Sequence, residues 1–158
     1  MAMTMKTEGL TEVSEMLTQL GEQAEAVASM ALYDGAGIVA DAFTQAVESI
    51  RTEPFRGKRA KRLPSPEEKA ALKGKSGVAR FNKSGSEVDT LIGVTGAAGY
   101  VMLGNTPKAV RLIARSINSG TSFMNKQPVF RRAKSISQGA AKAAIIAKAE
   151  EMLEAITK

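Results

Sequence analysis

The stretch SGTSFMNKQPVFRRA, residues 119–133, stands between two helical patterns, and its reading decides how the second half of the chain folds. Before it, Val110, Ile113, Ala114 and Ile117 share one side of a 3.6-residue helix, and Gly120 supplies a C-terminal stop. Thr106 and Pro107 predict the start of that short helix, as cap and first-turn proline. After it, from about Val129, apolar and small positions resume at Ala133, Ile136, Ala140, Ala143, Ala144, Ala147, Met152, Leu153 and Ile156, which predicts a long alanine-rich helix. The connection itself is greasy: Phe123, Met124, Pro128, Val129 and Phe130 crowd into it, and Arg131 and Arg132 close it. Two readings follow. In one, Phe123, Val129 and Phe130 staple the last helix onto strands, each burial contributing roughly 1.5–3 kcal/mol. In the other, Phe123, Met124 and the Pro128 turn belong to a docking surface rimmed by Arg131 and Arg132, since arginine is enriched in interfaces.

Working towards the N-terminus, residues 87–94 (EVDTLIGV) alternate, with Val88, Thr90, Ile92 and Val94 on one face. The turn-like TGAAG and then YVML follow, a pattern that predicts a hairpin. Residues 54–86 change character: Pro, Gly, Ser and charge dominate, which reads as a basic extended arm or loop, with a short helix near Ser65–Leu72 capped by Ser65 and begun by Pro66. Five basic residues, Arg56, Lys58, Arg59, Lys61 and Arg62, cluster in RGKRAKR. They suit phosphates, an acidic protein surface, or plain solvation. Further back, Leu10, Val13, Leu17, Leu20, Ala24, Val27 and Ala31, then Ile38, Val39, Ala42, Phe43, Ala46, Val47 and Ile50, form one helical stripe. They predict one long helix, or two in line, ending near Thr52 before Pro54, with Gly21, Gly35 and Gly37 as breaks or close contacts. The acids Asp34, Asp41 and Glu48 recur every seven residues along one flank.

The whole is an α+β expectation for residues 1–158 as a single domain: long N-terminal helix, small antiparallel sheet with a long basic arm, short helix and long C-terminal helix. Length and composition agree, since 158 residues match one domain and 44% hydrophobic residues with only 4% aromatics favour helix packing. There is no Cys and no His, so disulfides, thiolate chemistry, Cys/His zinc sites and histidine bases are excluded. No cofactor or metal is expected, and no catalytic residue. The carboxylates Asp34, Asp41, Glu48, Glu67, Glu68, Glu87 and Asp89 are not brought to a common cleft by any pattern. Gly93, Gly96 and Gly99 do not fit G-x-G-x-x-G, and Gly74-Lys75-Ser76 would need glycine where Lys69 stands. The N-terminal residues have no apolar signal region, so synthesis in the cytoplasm is expected. The uncharged run 90–107 is interrupted by four glycines and reads as buried strands, not a membrane segment.

Charge is uneven along the chain. Residues 1–50 carry one Lys and eight acids, residues 51–83 carry eleven Lys/Arg and three Glu, and residues 84–158 carry ten basic and five acidic residues, within a net charge of +6. Such separation bears on association and steering.

The order of these elements, with Gly120-Thr121 followed by Gln127-Pro128-Val129-Phe130-Arg131 and Ala133 leading into a terminal helix, resembles the tail-completion (tail-component, head-tail joining) family of long-tailed bacteriophages. The match is carried mainly by residues 107–157. The resemblance implies a virion structural protein of the neck that forms a ring at the head-proximal end of the tail. Its partners would be copies of itself and neighbouring tail and neck proteins, with no membrane and a DNA contact in the lumen left open. The candidate partner-binding residues are Arg56, Lys58, Arg59, Lys61, Arg62, Gly120, Thr121, Phe123, Met124, Pro128, Phe130, Arg131 and Arg132. A ring needs heterologous contacts, and an acidic N-terminal helix meeting a neighbour's basic arm would supply one. A nucleic-acid-binding module using the arm on phosphates, or a related neck part such as a tail terminator or stopper, remains open at this stage.

Overall fold

The computed structural model describes residues 10–54, 61–75, 77–78, 82–84, 87–89, 92–94 and 99–157. The fold is α+β. Helix α1 (Leu10–Glu48) runs unbroken for 39 residues, roughly 60 Å. Helix α4 (Val129–Thr157) packs along it in the antiparallel sense: the Phe43 and Phe130 rings lie 5.2 Å apart at one end, and Gly35 meets Ile145 further along. The glycines do not break α1. At Gly35 a Cβ would fall 2.4 Å from Ile145 Cγ1 and 3.3 Å from the Ala141 carbonyl, so the glycine is what lets the two helices approach.

Helix α2 (Pro66–Lys75) lies inside the stretch expected to be an extended arm. Ser65 begins it as anticipated, and Glu68 completes a reciprocal cap: the Glu68 N–H donates to Ser65 Oγ (3.3 Å) while the Ser65 N–H donates to Glu68 Oε2 (2.9 Å). Acids in its first turn and lysines in its last suit the helix dipole. Ala71 and Leu72 then drive it into the core. The short helix expected near Ser65–Leu72 is thus present and runs three residues further, to Lys75.

The strands are short and pair differently from the expected hairpin. β1 (Gly77–Val78) pairs with β4 (Ile92–Gly93), and β2 (Asn82–Ser84) with β3 (Glu87–Asp89), both antiparallel. The EVD segment and the Ile92-Gly93 dipeptide thus pair backwards, with residues 82–84 and 77–78 respectively. The YVML segment, β5 (Tyr100–Leu103), pairs forwards with β6 (Thr106–Ala109). Gly104, at φ 63°, sits first in the two-residue turn between them, the glycine-first arrangement such hairpins favour. Thr106 and Pro107 are consequently strand residues, and helix α3 (Val110–Ser119) starts three residues after Pro107 with no side-chain cap. Pro107, opposite Met102, is tolerated because a two-stranded ribbon leaves one side of each strand without a ladder to break.

The core gathers Phe43, Ala46, Val47 and Ile50 of α1, Leu72 of α2, the α3 face Val110, Ile113, Ala114 and Ile117, and Met124, Val129 and Ala133. On α4 the buried line is Val129, Ala133, Ser137 and Ala141, whereas Ile136, Ala140, Ala143 and Ala147 face out. The expected stripe was rotated, because an alanine-rich helix has little hydropathy contrast between faces. By length and mean hydropathy (1.2), Gln23–Glu48 could cross a membrane. A core helix meets the same criterion, and here Phe43, Ala46 and Val47 are buried against the other helices.

Candidate functional site

The 119–133 segment is the junction of the molecule. Gly120, at φ 74°, ends α3 and donates its N–H to the Ser116 carbonyl (2.9 Å), and a Cβ there would press on Lys126 at 3.1 Å. Thr121 then forms a tight turn: its N–H donates to the Met124 carbonyl (3.0 Å), and its Oγ1 accepts the Met124 N–H (3.0 Å). That turn points neighbouring side chains in opposite directions. Met124 is 2% exposed, in the core, and Phe123 is 51% exposed. Both earlier assignments are corrected here: Met124 is packing and does not line a docking surface, and Phe123 faces outward and does not staple α4.

The greasy segment presses on the end of the basic arm. The Arg62 N–H donates to the Phe123 carbonyl and the Asn125 N–H to the Arg62 carbonyl, each at 2.9 Å. Residues 62 and 124 are thus bridged in parallel. Gln127, buried, holds the other side: its Nε2 donates to the Arg51 carbonyl (2.8 Å) and its Oε1 accepts the Arg51 N–H (2.9 Å). Its own N–H donates to Ile117. One amide thus substitutes for a strand partner at the frayed end of α1, where unpaired backbone groups would otherwise be costly. Lys69 donates from the opposite side to the carbonyls of Glu48 (2.7 Å) and Ile50 (3.1 Å). Pro128 precedes α4, Val129 is buried, and Phe130, partly exposed, stacks on Phe43 under Gly93. The Phe130 N–H, an orphan donor of the first turn of α4, donates to Asn118 Oδ1 (3.2 Å).

The basic candidates divide. Arg56, Lys58 and Arg59 lie outside the described residues. Lys61 is exposed. Arg62, expected among the phosphate contacts, is committed within the fold: its guanidinium grips Glu68 with two bonds of 2.7 Å, the two side chains being 12% and 4% exposed. Burial pushes the Glu68 carboxyl up. The bonds from Arg62 and the Ser65 N–H, with the charges of Arg62 and Lys108, outweigh burial and hold it below its ordinary range. The hydrogen bond to Glu68 likewise raises Arg62. Arg131 and Arg132 are exposed, and Arg132 reaches Ser49 Oγ at 3.2 Å. On the acidic flank of α1, Glu48 is bound by Lys73 at 2.7 Å, which lowers its carboxyl. Asp34 lies in the field of Lys148.

Sequence reasoning missed Gln127, Asn118, Glu68 and Arg51 as organisers. Glu68 had a signal, the S-x-x-E spacing of a capping box. The others act across long sequence separations and had none. Among the described residues no group of three or more Asp or Glu could hold a metal ion. No protein-family model matches the chain, no curated protein is similar to it, and no solved structure matches it.

Proposed function

We propose that this chain is a structural protein of a bacteriophage neck, a tail-completion protein that assembles as a ring at the head-proximal end of the tail and enables head-tail joining in the virion. The observation that carries the reading beyond sequence resemblance is the placement of large apolar side chains outside the core on two separate parts of the molecule. One set, Met30, Tyr33, Ile136 and Ile146, lies on the α1/α4 pair; the other, Tyr100, Met102, Leu112 and Phe123, lies on the hairpin, α3 and the junction. Two dissimilar apolar surfaces are what a head-to-tail ring contact uses, because each subunit presents one surface to the neighbour's other. Lone exposed apolar residues are ordinary, whereas groups of them mark association sites.

The test is particle-based. Phage lacking this protein should accumulate filled heads and unattached tails, and adding the purified protein should join them. Infectious particles formed in its absence would refute the reading. Charge reversal of Arg56, Lys58, Arg59 and Lys61 to Glu probes the arm's part in assembly, and Arg62 is left out because its loss would unfold the base.

A further inference from the structure

We propose that a polar recess between the end of α1 and the start of α4, bounded by Arg51, Lys126 and Arg132, binds the phosphate groups of nucleic acid. The recess, about 470 Å³, is lined by those three cations with Leu63, Asn125 and Gln127. No lining residue is acidic, and among the described residues none of the three cations is in an ion pair. The acid two residues from Arg51, Glu53, accepts the Leu63 N–H at 2.7 Å. Three like charges facing one cavity repel each other, and an anion between them removes that repulsion.

The frame of the recess is held by hydrogen bonds, and of its charged ends the Arg132 guanidinium meets only a neutral hydroxyl. Gln127 fixes both backbone groups of Arg51, Asn125 is tied to Arg62, and Arg132 rests on Ser49. Arg132 belongs to the first turn of α4, where the helix dipole adds positive potential. Leu63, which lines the recess, is clasped to Glu53. Arg56, Lys58, Arg59 and Lys61 lie between those two residues in sequence. Guanidinium forks match phosphate oxygens in pairs. A second copy's acidic flank is the weaker occupant, because Glu48, one of its three acids, is taken by Lys73. Arg62, bound to Glu68, takes no part.

The proposal goes beyond the neck reading and does not depend on it. The experiment uses the full chain and a short labelled DNA duplex of random sequence, with anisotropy read between about 50 and 200 mM salt. Wild-type protein should bind with log affinity falling linearly against log salt. Arg51→Gln, Lys126→Gln and Arg132→Gln should each lower the magnitude of that slope by about 1, and the triple variant by about 3. A parallel variant, Arg56→Gln with Lys58→Gln and Arg59→Gln, should lower the slope separately. The proposal is overturned by absence of wild-type binding at about 50 mM salt, by an unchanged slope in folded recess variants, or by an arm variant that abolishes all salt dependence. It is equally overturned if the variants lose affinity for labelled polyglutamate while keeping their affinity for the duplex, since the recess would then take an acidic protein. The single substitutions carry the test if the triple variant does not fold. The particle test of head-tail joining reads the neck role independently, so binding of duplex through the recess by a protein that phage particles do without would keep this proposal and sink the neck reading.

Discussion

The base of the molecule and its helical stem are built on different terms. In the base, where α2, α3 and the 119–128 segment meet the adjoining ends of α1 and α4, long apolar side chains are buried and the polar groups between them answer one another: Arg62 with Glu68, Gln127 with Arg51, Asn118 with Phe130. In the stem, the buried residues of α1 between Val27 and Ala42 are small or branched, and α4 contributes Ser137 and Ala141. Met30, Tyr33, Ile136 and Ile146 stay outside. The base is held by burial and paired charge. The stem depends on close backbone approach, and its larger apolar groups lie at its surface.

Three changes would break or sharpen that contrast. The largest effect is expected from Arg62→Ala, which leaves the Glu68 carboxylate buried beside only Ser65 and Lys108. Removing one partner of a buried pair costs about 3–5 kcal/mol, read by urea unfolding at neutral pH. In the wild type the Glu68 pKa is depressed. Its contribution is therefore fully present above the ordinary value of 4.5 and is lost as pH falls through the folded value. In Arg62→Ala burial dominates and raises the carboxyl, so stability should instead increase as pH falls through that raised value. A variant whose pH profile merely parallels the wild type would show that the pair is not what holds the base.

A middle-sized effect belongs to the stem. Gly35→Ala gains helix propensity, about 1 kcal/mol, but drives a methyl into Ile145, and overpacking of this kind costs typically 1–3 kcal/mol. Net destabilisation should appear as faster amide exchange confined to the stem, and Ile145→Ala should restore protection in the double variant. Equal exchange in base and stem would erase the distinction between them. The smallest effect is expected from Ile136→Ser. Unfolding stability should move by no more than about 0.5 kcal/mol, as for exposed sites generally, while self-association measured by sedimentation should weaken. A large loss of stability would mean that Ile136 belongs to the fold.

The helical parts were legible because their signals are local. Val110, Ile113, Ala114 and Ile117 with Gly120 defined α3, and Ser65 with Pro66 opened α2, all within a few residues of sequence. The strands were less so. Segments of two to four residues carry no usable periodicity, and YVML has TGAAG before it and Gly104-Asn105 after it, each able to turn the chain. The turn at Gly104-Asn105 pairs YVML with residues 106–109, which also takes Pro107 out of the helix. The recess was not legible at all, since Arg51 lies 76 residues from the Gln127 that positions it. Burial separated Met124 from Phe123 only through a turn made by Thr121, a hydroxyl effect that hydropathy cannot register.

The clasp between Glu53 and the 63–64 backbone has one more consequence. It ties the chain at Glu53 to the chain at Leu63 and Pro64, so the two ends of the intervening stretch of sequence are fixed to each other independently of that stretch. Once the ends of such a loop are fixed, doubling its length costs only about 0.6 kcal/mol. Insertions between Glu53 and Lys61 should therefore cost the scaffold little, provided the Glu53 clasp and the Arg62–Glu68 pair are kept.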